Sequence, residues 1–415
     1  MKKVAFALLG GLASVLLFTA CGSSGETGQL VGVLERPNWN SVSPYGMVYV
    51  PSGVLHVGQS DQDIFASNVQ KPRSISVQGF FMDETEITNN EYRQFVYWVR
   101  DSIAHTYLDH FTENDLGVES IDWEYEIDWT DETLDDLYFQ GDDVFNGKTR
   151  ELDPRLLVYN YDQKNWKKAA SRAFQGNRQD IITEVEVNVY PDTLCWIRDF
   201  AYSYNEPYTR NYFWHPAFDD YPVVGVDWKM AKAFCHWRTD LWNNYRFDEP
   251  NTEEFRLPTE HEWEYAARGG KALAAFPWGA YYSRNAKGCL LANFKPGRGN
   301  YPEDGGLFTV KADAYFPNDY GLYCMAGNVS EWTETAFYEN AQSFIHDLNP
   351  DIKYDAKDDD PEAYKRKVIR GGSWKDVLYY LQTGTRHWVY QDTTKSYIGF
   401  RCALTFLGRS LGDFQ

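Results

Sequence analysis

Arg370-Gly371-Gly372-Ser373-Trp374 opens, and Gly399-Phe400-Arg401-Cys402-Ala403 closes, the stretch around which this chain is organised. Paired glycines ahead of a buried-type aromatic require a backbone that turns tightly or approaches another segment closely. Two stretches upstream belong with it, Arg256-Leu257-Pro258-Thr259-Glu260-His261-Glu262-Trp263-Glu264-Tyr265 and Gly327-Asn328-Val329-Ser330-Glu331-Trp332-Thr333. In the first, Leu257 to Glu260 reads as a helix start that sets Glu260, Trp263 and Glu264 one turn apart, and Gly269-Gly270 signals a glycine C-cap.

The chain has 415 residues, room for one large domain or two small ones and ample for a substantial core. Aromatic residues make up 17% and hydrophobic residues 43%, which excludes general disorder. Lysine and arginine number 40 against 60 acidic residues, a net charge of -20, and no nucleic-acid partner is expected. Most of that charge is local. Between Asp101 and Gly147 stand 15 Asp and Glu and no Lys or Arg, interleaved with Trp123, Tyr125, Trp129, Tyr138 and Phe139. Aromatics of this kind are unusual in a purely disordered acidic run. Trp123, Trp129 and Tyr138 are therefore read as partner-binding anchors, because aromatic side chains dominate interface hot spots.

Lys2 and Lys3 precede an apolar run from Val4 to Phe18, followed by Thr19-Ala20-Cys21. This reads as a secretory signal peptide over residues 1–20, with residues 21–44 a polar tether. No other apolar run reaches the ~18 residues of a membrane span. Cys21 leaves five further cysteines, Cys195, Cys235, Cys289, Cys324 and Cys402, with no C-x-x-C pair among them. Neither a zinc ribbon nor a thioredoxin-like site is indicated, and in an oxidising periplasm some of the five should pair.

Met47 to Gly58 reads as two strands joined by Pro51-Ser52-Gly53, and Ser74 to Met82 as another with Ile75, Val77 and Phe80 alternating. Thr88-Asn89-Asn90-Glu91 has capping-box form ahead of an amphipathic helix bearing Tyr92, Phe95, Val96 and Val99. Met230 to Trp237 is a further helix by spacing.

Taken together, these ordered and widely spaced motifs resemble the formylglycine-generating-enzyme family, the sulfatase-modifying-factor domain. The resemblance covers roughly residues 45–100 and 220–405. It implies an α+β fold related to C-type lectins, with little regular secondary structure, over residues 45–405, carrying a long acidic insertion at 101–218 and a tail at 406–415. Members that are enzymes oxidise a substrate cysteine with copper held by two cysteines. The corresponding positions here are Asp376 and Leu381. Soft Cu(I) needs thiolates, so no catalytic residue and no copper are expected, and the chain reads as a pseudoenzyme that requires no cofactor. The sulfoxide synthases that share the fold carry a His-x-x-x-His-x-Glu run, which this chain lacks. His236, His261 and His387 read as packing or surface histidines.

Calcium is the one candidate cofactor, and by resemblance its ligands fall on Asn293, Phe294, Asp304 and Gly306, and on Gly327, Val329 and Glu331, with Cys324 standing where the family has Asn. The resemblance also implies a disulfide between Cys235 and Cys402. Phe18-Thr19-Ala20-Cys21 looks like a lipobox, with Cys21 lipidated, Ser23 favouring the outer membrane and the domain on its periplasmic face. A lipoprotein with this domain and insertion resembles the GldK/PorK lipoproteins of type IX secretion and gliding motility. That implies a structural role in a periplasmic ring, through self-association and a GldN/PorN-like partner together with other secretion components. The alternatives are a GldJ-like gliding lipoprotein and an active oxidase acting on sulfatases.

Overall fold

A three-stranded sheet and a four-stranded sheet, with the three longest helices, form an α+β arrangement in which long irregular segments connect the elements. The structure is a computed structural model that describes residues 42–58, 72–113, 117, 119–145, 149–246 and 251–407. The signal peptide, Cys21, most of the tether and residues 408–415 of the tail lie outside the described residues. No helix among the described residues is long and apolar enough to cross a membrane.

The strand expected over Ser74 to Met82 is two strands, β3 (Arg73–Val77) and β4 (Phe80–Asp83), which follow β1 (Met47–Val50) and β2 (Gly53–Val57). The break falls at Gly79, where a Cβ would come within 2.9 Å of the Tyr49 hydroxyl and 3.3 Å of the Ser52 amide. The chain can cross there from one sheet to the next only because that position has no side chain. β1 and β2 do not pair with each other. β2 pairs antiparallel with β3, and β1 with β4.

Beyond a hairpin of β5 (Phe111–Glu113) and β6 (Glu119–Ile121) comes a longer one, β7 (Val158–Lys164) and β8 (Ile182–Asn188). The second sheet is built from β9 (Ser330–Ala336), β10 (Arg366–Arg370), β11 (His387–Tyr390) and β12 (Ile398–Gly399) in the order β11-β10-β9-β12. Finally β13 (Ala403–Thr405) returns to β4, so the two ends of the domain close one sheet.

The helices start where the sequence says they should. In α1 (Asn89–Tyr107), Glu91 accepts from the Thr88 amide at 2.8 Å while Thr88 accepts from the Glu91 amide at 3.3 Å, the reciprocal capping box. α2 (Trp228–Tyr245) is capped by Asp227, which accepts from the Met230 amide at 2.8 Å. α3 (Glu260–Arg268) has a second capping box, Thr259 with Glu262, and stops at Gly269 in the left-handed conformation. Tyr92, Phe95 and Val99 of α1 and Phe234 and Trp237 of α2 form the centre of the main core with Trp332, Ile369 and Phe400. Tyr92 stacks on Phe234 with centroids 5.6 Å apart.

The region read as an insertion has two characters. Its later half is built into the core. Leu157, Tyr159, Val187, Val189 and Phe213 pack in the main cluster, and the Tyr92 hydroxyl donates to the Val189 carbonyl at 3.0 Å. Trp196 and Tyr212 form a second cluster with Val329 and Trp374. Its acidic half instead packs on α1 through a satellite of Ala104, Leu134 and Leu137.

Gly225 marks how tightly the later half is held, since its φ is +77° and a Cβ would lie 2.4 Å from the Asp192 carbonyl oxygen. Gly225→Ala should therefore cost more than the ~1–2 kcal/mol of a left-handed alanine alone. Gly288→Ala, at φ +88° with no atom within 4 Å of the added methyl, should cost only that amount. Urea denaturation midpoints check the difference, and equal shifts would mean that the segment around Asp192 yields freely.

Candidate functional site

The turn from Ser373 to Leu381 is where the copper-binding chemistry would have to stand. Gly371 and Gly372 enter it with φ of +91° and +67°. At Gly372 a Cβ would sit 2.8 Å from the Tyr380 carbonyl oxygen, so the two limbs of the turn touch backbone to backbone. Asp376 closes the turn. One of its oxygens accepts from the Ser373 hydroxyl at 2.6 Å and from the Ser373 amide at 3.0 Å, and the other lies 3.1 Å from the Lys375 ammonium. Leu381 is fully buried among Ala275, Phe276, Leu290, Ala292, Phe294 and Ala326. The residues at the two copper positions are thus a capping carboxylate and a core leucine, and neither offers the thiolate that Cu(I) requires.

Beneath the turn runs a buried layer of charge contributed by the three sequence motifs. Arg401 donates through Nε to one oxygen of Glu331 at 2.7 Å and through Nη2 to the other at 2.6 Å, and the Trp263 indole donates to Glu331 at 2.7 Å. Glu264 accepts from Arg370 at 2.7 Å and Arg268 at 2.6 Å, and Glu260 accepts from Arg386 at 2.7 Å. Burial alone would raise the Glu260 carboxyl, but Arg386, His261 and Arg370 outweigh it and hold its pKa down to about 2.

Glu86 is different. It accepts from the Asn328 side chain at 2.6 Å and the Val329 amide at 3.2 Å, and among the described residues it makes no ion pair. Burial, reinforced by the nearby Glu331 charge, pushes its carboxyl well above the usual range. The Cys324 thiol is pushed up by burial and by Glu86. Nothing in the spacing of Glu86 along the sequence marks it as a buried carboxyl.

Of the second calcium set, Glu331 has both side-chain oxygens engaged by Arg401 and Trp263, and the Val329 amide donates to Glu86. Of the first set, Asn293 and Gly306 are neighbours: a Cβ at Gly306 would lie 2.3 Å from Asn293 Oδ1. Asn293 also donates to the Phe308 carbonyl at 2.7 Å. The Asp304 carboxylate accepts from the Leu290 amide, and Phe294 is in the core. Among the described residues no three His, Cys, Asp or Glu side chains gather as a metal-ligand group.

Cys235 and Cys402 are brought together as the resemblance implied, sulfur to sulfur at 3.4 Å, and stand as free thiols in this structure. His261 is buried against the Pro350 carbonyl, and the half-buried His236 lies against the Tyr159 hydroxyl at 3.1 Å and Asp240 at 3.3 Å.

The proposed partner anchors separate. Trp123 is exposed and stacks on Trp98 with centroids 5.4 Å apart. Trp129 and Tyr138 are half-buried and engaged within the chain, Trp129 under Arg100 at 4.6 Å and Tyr138 under Arg150 at 4.6 Å. The same arginines answer part of the acidic run, Arg100 pairing with Asp101 and Arg150 with Asp135, while Arg155 pairs with Asp143. Trp129 and Tyr138 are thus partly engaged within the chain, and Trp123 is the most exposed of the three. The run looked uncompensated because its cations flank it in sequence instead of lying within it.

The model of the sulfatase-modifying factor enzyme 1-like domain matches residues 35–406. Mouse formylglycine-generating enzyme is 27% identical over 371 residues, covering 87% of this chain and 75% of its own. The bovine protein named inactive C-alpha-formylglycine-generating enzyme 2 is 26% identical over 387 residues, covering 92% of this chain and 93% of its own. Among solved structures, PvdO from Pseudomonas aeruginosa aligns with a TM-score of 0.48 at 16% identity, over 87% of this chain and 94% of its own.

Glu86 allows a test of the buried layer by pH. A carboxyl whose folded pKa is raised contributes stability that is full below its unfolded pKa of ~4.3 and is lost as pH rises towards the folded value. Glu86→Gln fixes the neutral form, so its stability relative to wild type should improve between pH 5 and pH 8. Urea denaturation at the two pH values measures this, and a constant difference would mean that Glu86 does not titrate differently on folding.

Proposed function

The chain belongs to the sulfatase-modifying factor enzyme 1-like family, and from that premise we propose that it is a non-catalytic member that works by binding and assembly. The observation that carries this reading is the 373–381 turn, where Asp376 caps Ser373 and Leu381 fills the core. Copper-dependent oxidation of a cysteine needs two thiolates at those positions, and a carboxylate and an alkyl group cannot take their place. The bovine relative whose name marks it as inactive supports the reading, since it aligns over 92% of this chain.

The finer reading is a structural lipoprotein of a type IX secretion and gliding-motility machine. In it, Cys21 carries the lipid anchor at the periplasmic face of the outer membrane, and the domain assembles in a ring with a GldN/PorN-like partner. What supports it is the lipobox-like Phe18-Thr19-Ala20-Cys21 together with the acidic segment 101–147. That segment packs on α1 through its own small cluster and leaves Trp123 exposed. The mouse relative carries the name of an active enzyme, which keeps sulfatase modification as the second reading.

Copper separates the two. Titration of Cu(I) against a chromophoric chelator should give no tight binding by this chain, and no conversion of a cysteine in a sulfatase-derived peptide should follow. Stoichiometric tight binding abolished by a substitution at Asp376 would establish the oxidase instead. For the assembly, deletion of residues 105–147 should leave the domain folded and anchored but abolish co-purification of the ring partner from membranes. Partner recovery should also fall with salt, since exposed charge pairs are screened within ~8 Å at physiological ionic strength. Undiminished assembly by the deletion variant would place the interface elsewhere. Cys21→Ala should release the protein from the outer membrane, because the acyl chains supply ~0.8 kcal/mol per buried methylene. Firm retention would mean that partners hold it there.

A further inference from the structure

Beside the Ser373 to Leu381 turn lies a cavity of about 400 Å³ whose lining is at odds with the rest of the chain. Overall there are 60 acidic residues against 40 basic ones, yet Arg284, Lys295 and Arg298 line this cavity and no Asp or Glu does. Its apolar side is formed by Leu290, Phe294 and Leu378. Leu290 and Phe294 belong to the cluster that buries Leu381, and Leu378 packs against it, so this wall is rigid.

The three cations are not equivalent. Arg284 is answered by Glu303 and donates to the Gly288 carbonyl at 2.7 Å. Lys295 lies over the Tyr301 ring at 4.7 Å, and Arg298 is exposed. Neither of these two has an ion-pair partner among the described residues. The Lys295 backbone is fixed by its amide, which donates to the Asp376 carbonyl at 2.9 Å. Two uncompensated cations over a hydrophobic wall concentrate a local positive field in a concave site, where low-dielectric walls strengthen it. In a chain of this net charge an anion is repelled elsewhere and drawn here.

We propose that this cleft is a binding site for an organic anion with an apolar body, such as an acidic peptide segment whose carboxylates meet Lys295 and Arg298 while an aliphatic side chain lies on Phe294 and Leu378. A volume of this order lies within the ~300–1,000 Å³ of small-ligand sites and accommodates two or three residues. The inference does not depend on the secretion-machinery reading, and neither copper nor a ring partner enters its test.

Isothermal titration of the whole folded domain with N-acetyl-Leu-Glu-Glu-amide, its Leu-Gln-Gln analogue and inorganic phosphate tests it. Hydrogen bonds to charged groups contribute ~1.5–3 kcal/mol each, so the acidic peptide should bind at least about tenfold more tightly than the Gln analogue. It should also bind more tightly than phosphate, which cannot use the apolar wall. The double variant Lys295→Ala, Arg298→Ala removes two side chains outside the core, and it should weaken acidic-peptide binding by at least about tenfold with an unchanged denaturation midpoint. Absence of saturable binding by the acidic peptide, equal binding of the Gln analogue, equal binding of phosphate, or an unaffected double variant would each overturn the proposal.

Discussion

A carboxylate removed from water needs a donor for each oxygen, and the Glu331 side chain finds its donors on two other segments of the chain. Arg401 supplies two and Trp263 a third, at 2.6–2.7 Å. The remaining Arg401 donors reach the Asp83 and Tyr323 carbonyls at 3.1 Å. One buried pair therefore ties together β4, α3, β9 and the segment entering β13, elements separated by more than three hundred residues. Glu264 with Arg370 and Glu260 with Arg386 repeat the device along the buried helix α3. Such pairs give little net stability when formed, but removal of one partner costs ~3–5 kcal/mol because the other is left buried and unpaired. An arrangement of these irregular loops that separated one pair would carry that cost.

This explains which parts of the architecture the sequence announced. Local chemistry is legible because it is read over three or four residues: Thr88 with Glu91, Thr259 with Glu262, and Gly269 as a stop are capping arrangements that any helix end needs. The acids and bases of the motifs were visible as letters, but their pairing was not. Arg401 and Glu331 lie 70 residues apart, and no spacing rule links them. The same holds for β1-β4-β13, which joins the two ends of the domain. Strand pairing over such separations depends on loop closure and core packing, to which local propensity is blind.

The acidic run shows how composition misleads at the boundary of a window. Counted from Asp101 to Gly147 it has no cation. In three dimensions Arg100, Arg150 and Arg155, just outside that window, pair with its carboxylates and lie over Trp129, Tyr138 and Phe139. Cations over aromatic faces are stabilised further where partly desolvated, which draws two of the aromatics inward and leaves Trp123 exposed. Glu331 shows the converse, since the guanidinium on both of its oxygens comes from a segment 70 residues further along the chain.

The 373–381 turn holds its shape without a thiol. Its conformation is dictated by Gly372, whose lack of a Cβ lets the limbs touch at the Tyr380 carbonyl, and by the Ser373–Asp376 hydrogen bond. Neither requires a thiol. A leucine at position 381 gains from the site: fully burying such a side chain contributes ~1.5–3 kcal/mol relative to leaving it exposed. Reactive residues held for function are commonly a burden on stability, and their replacement by packing residues moves the balance towards the fold. With Leu381 seated among Ala275, Phe276 and Phe294, the floor of the neighbouring cleft becomes rigid and apolar. On the non-catalytic reading proposed above, the leucine that stands at a copper position also packs against the wall of the adjacent cleft, so one residue bears on both the chemistry and the surface beside it.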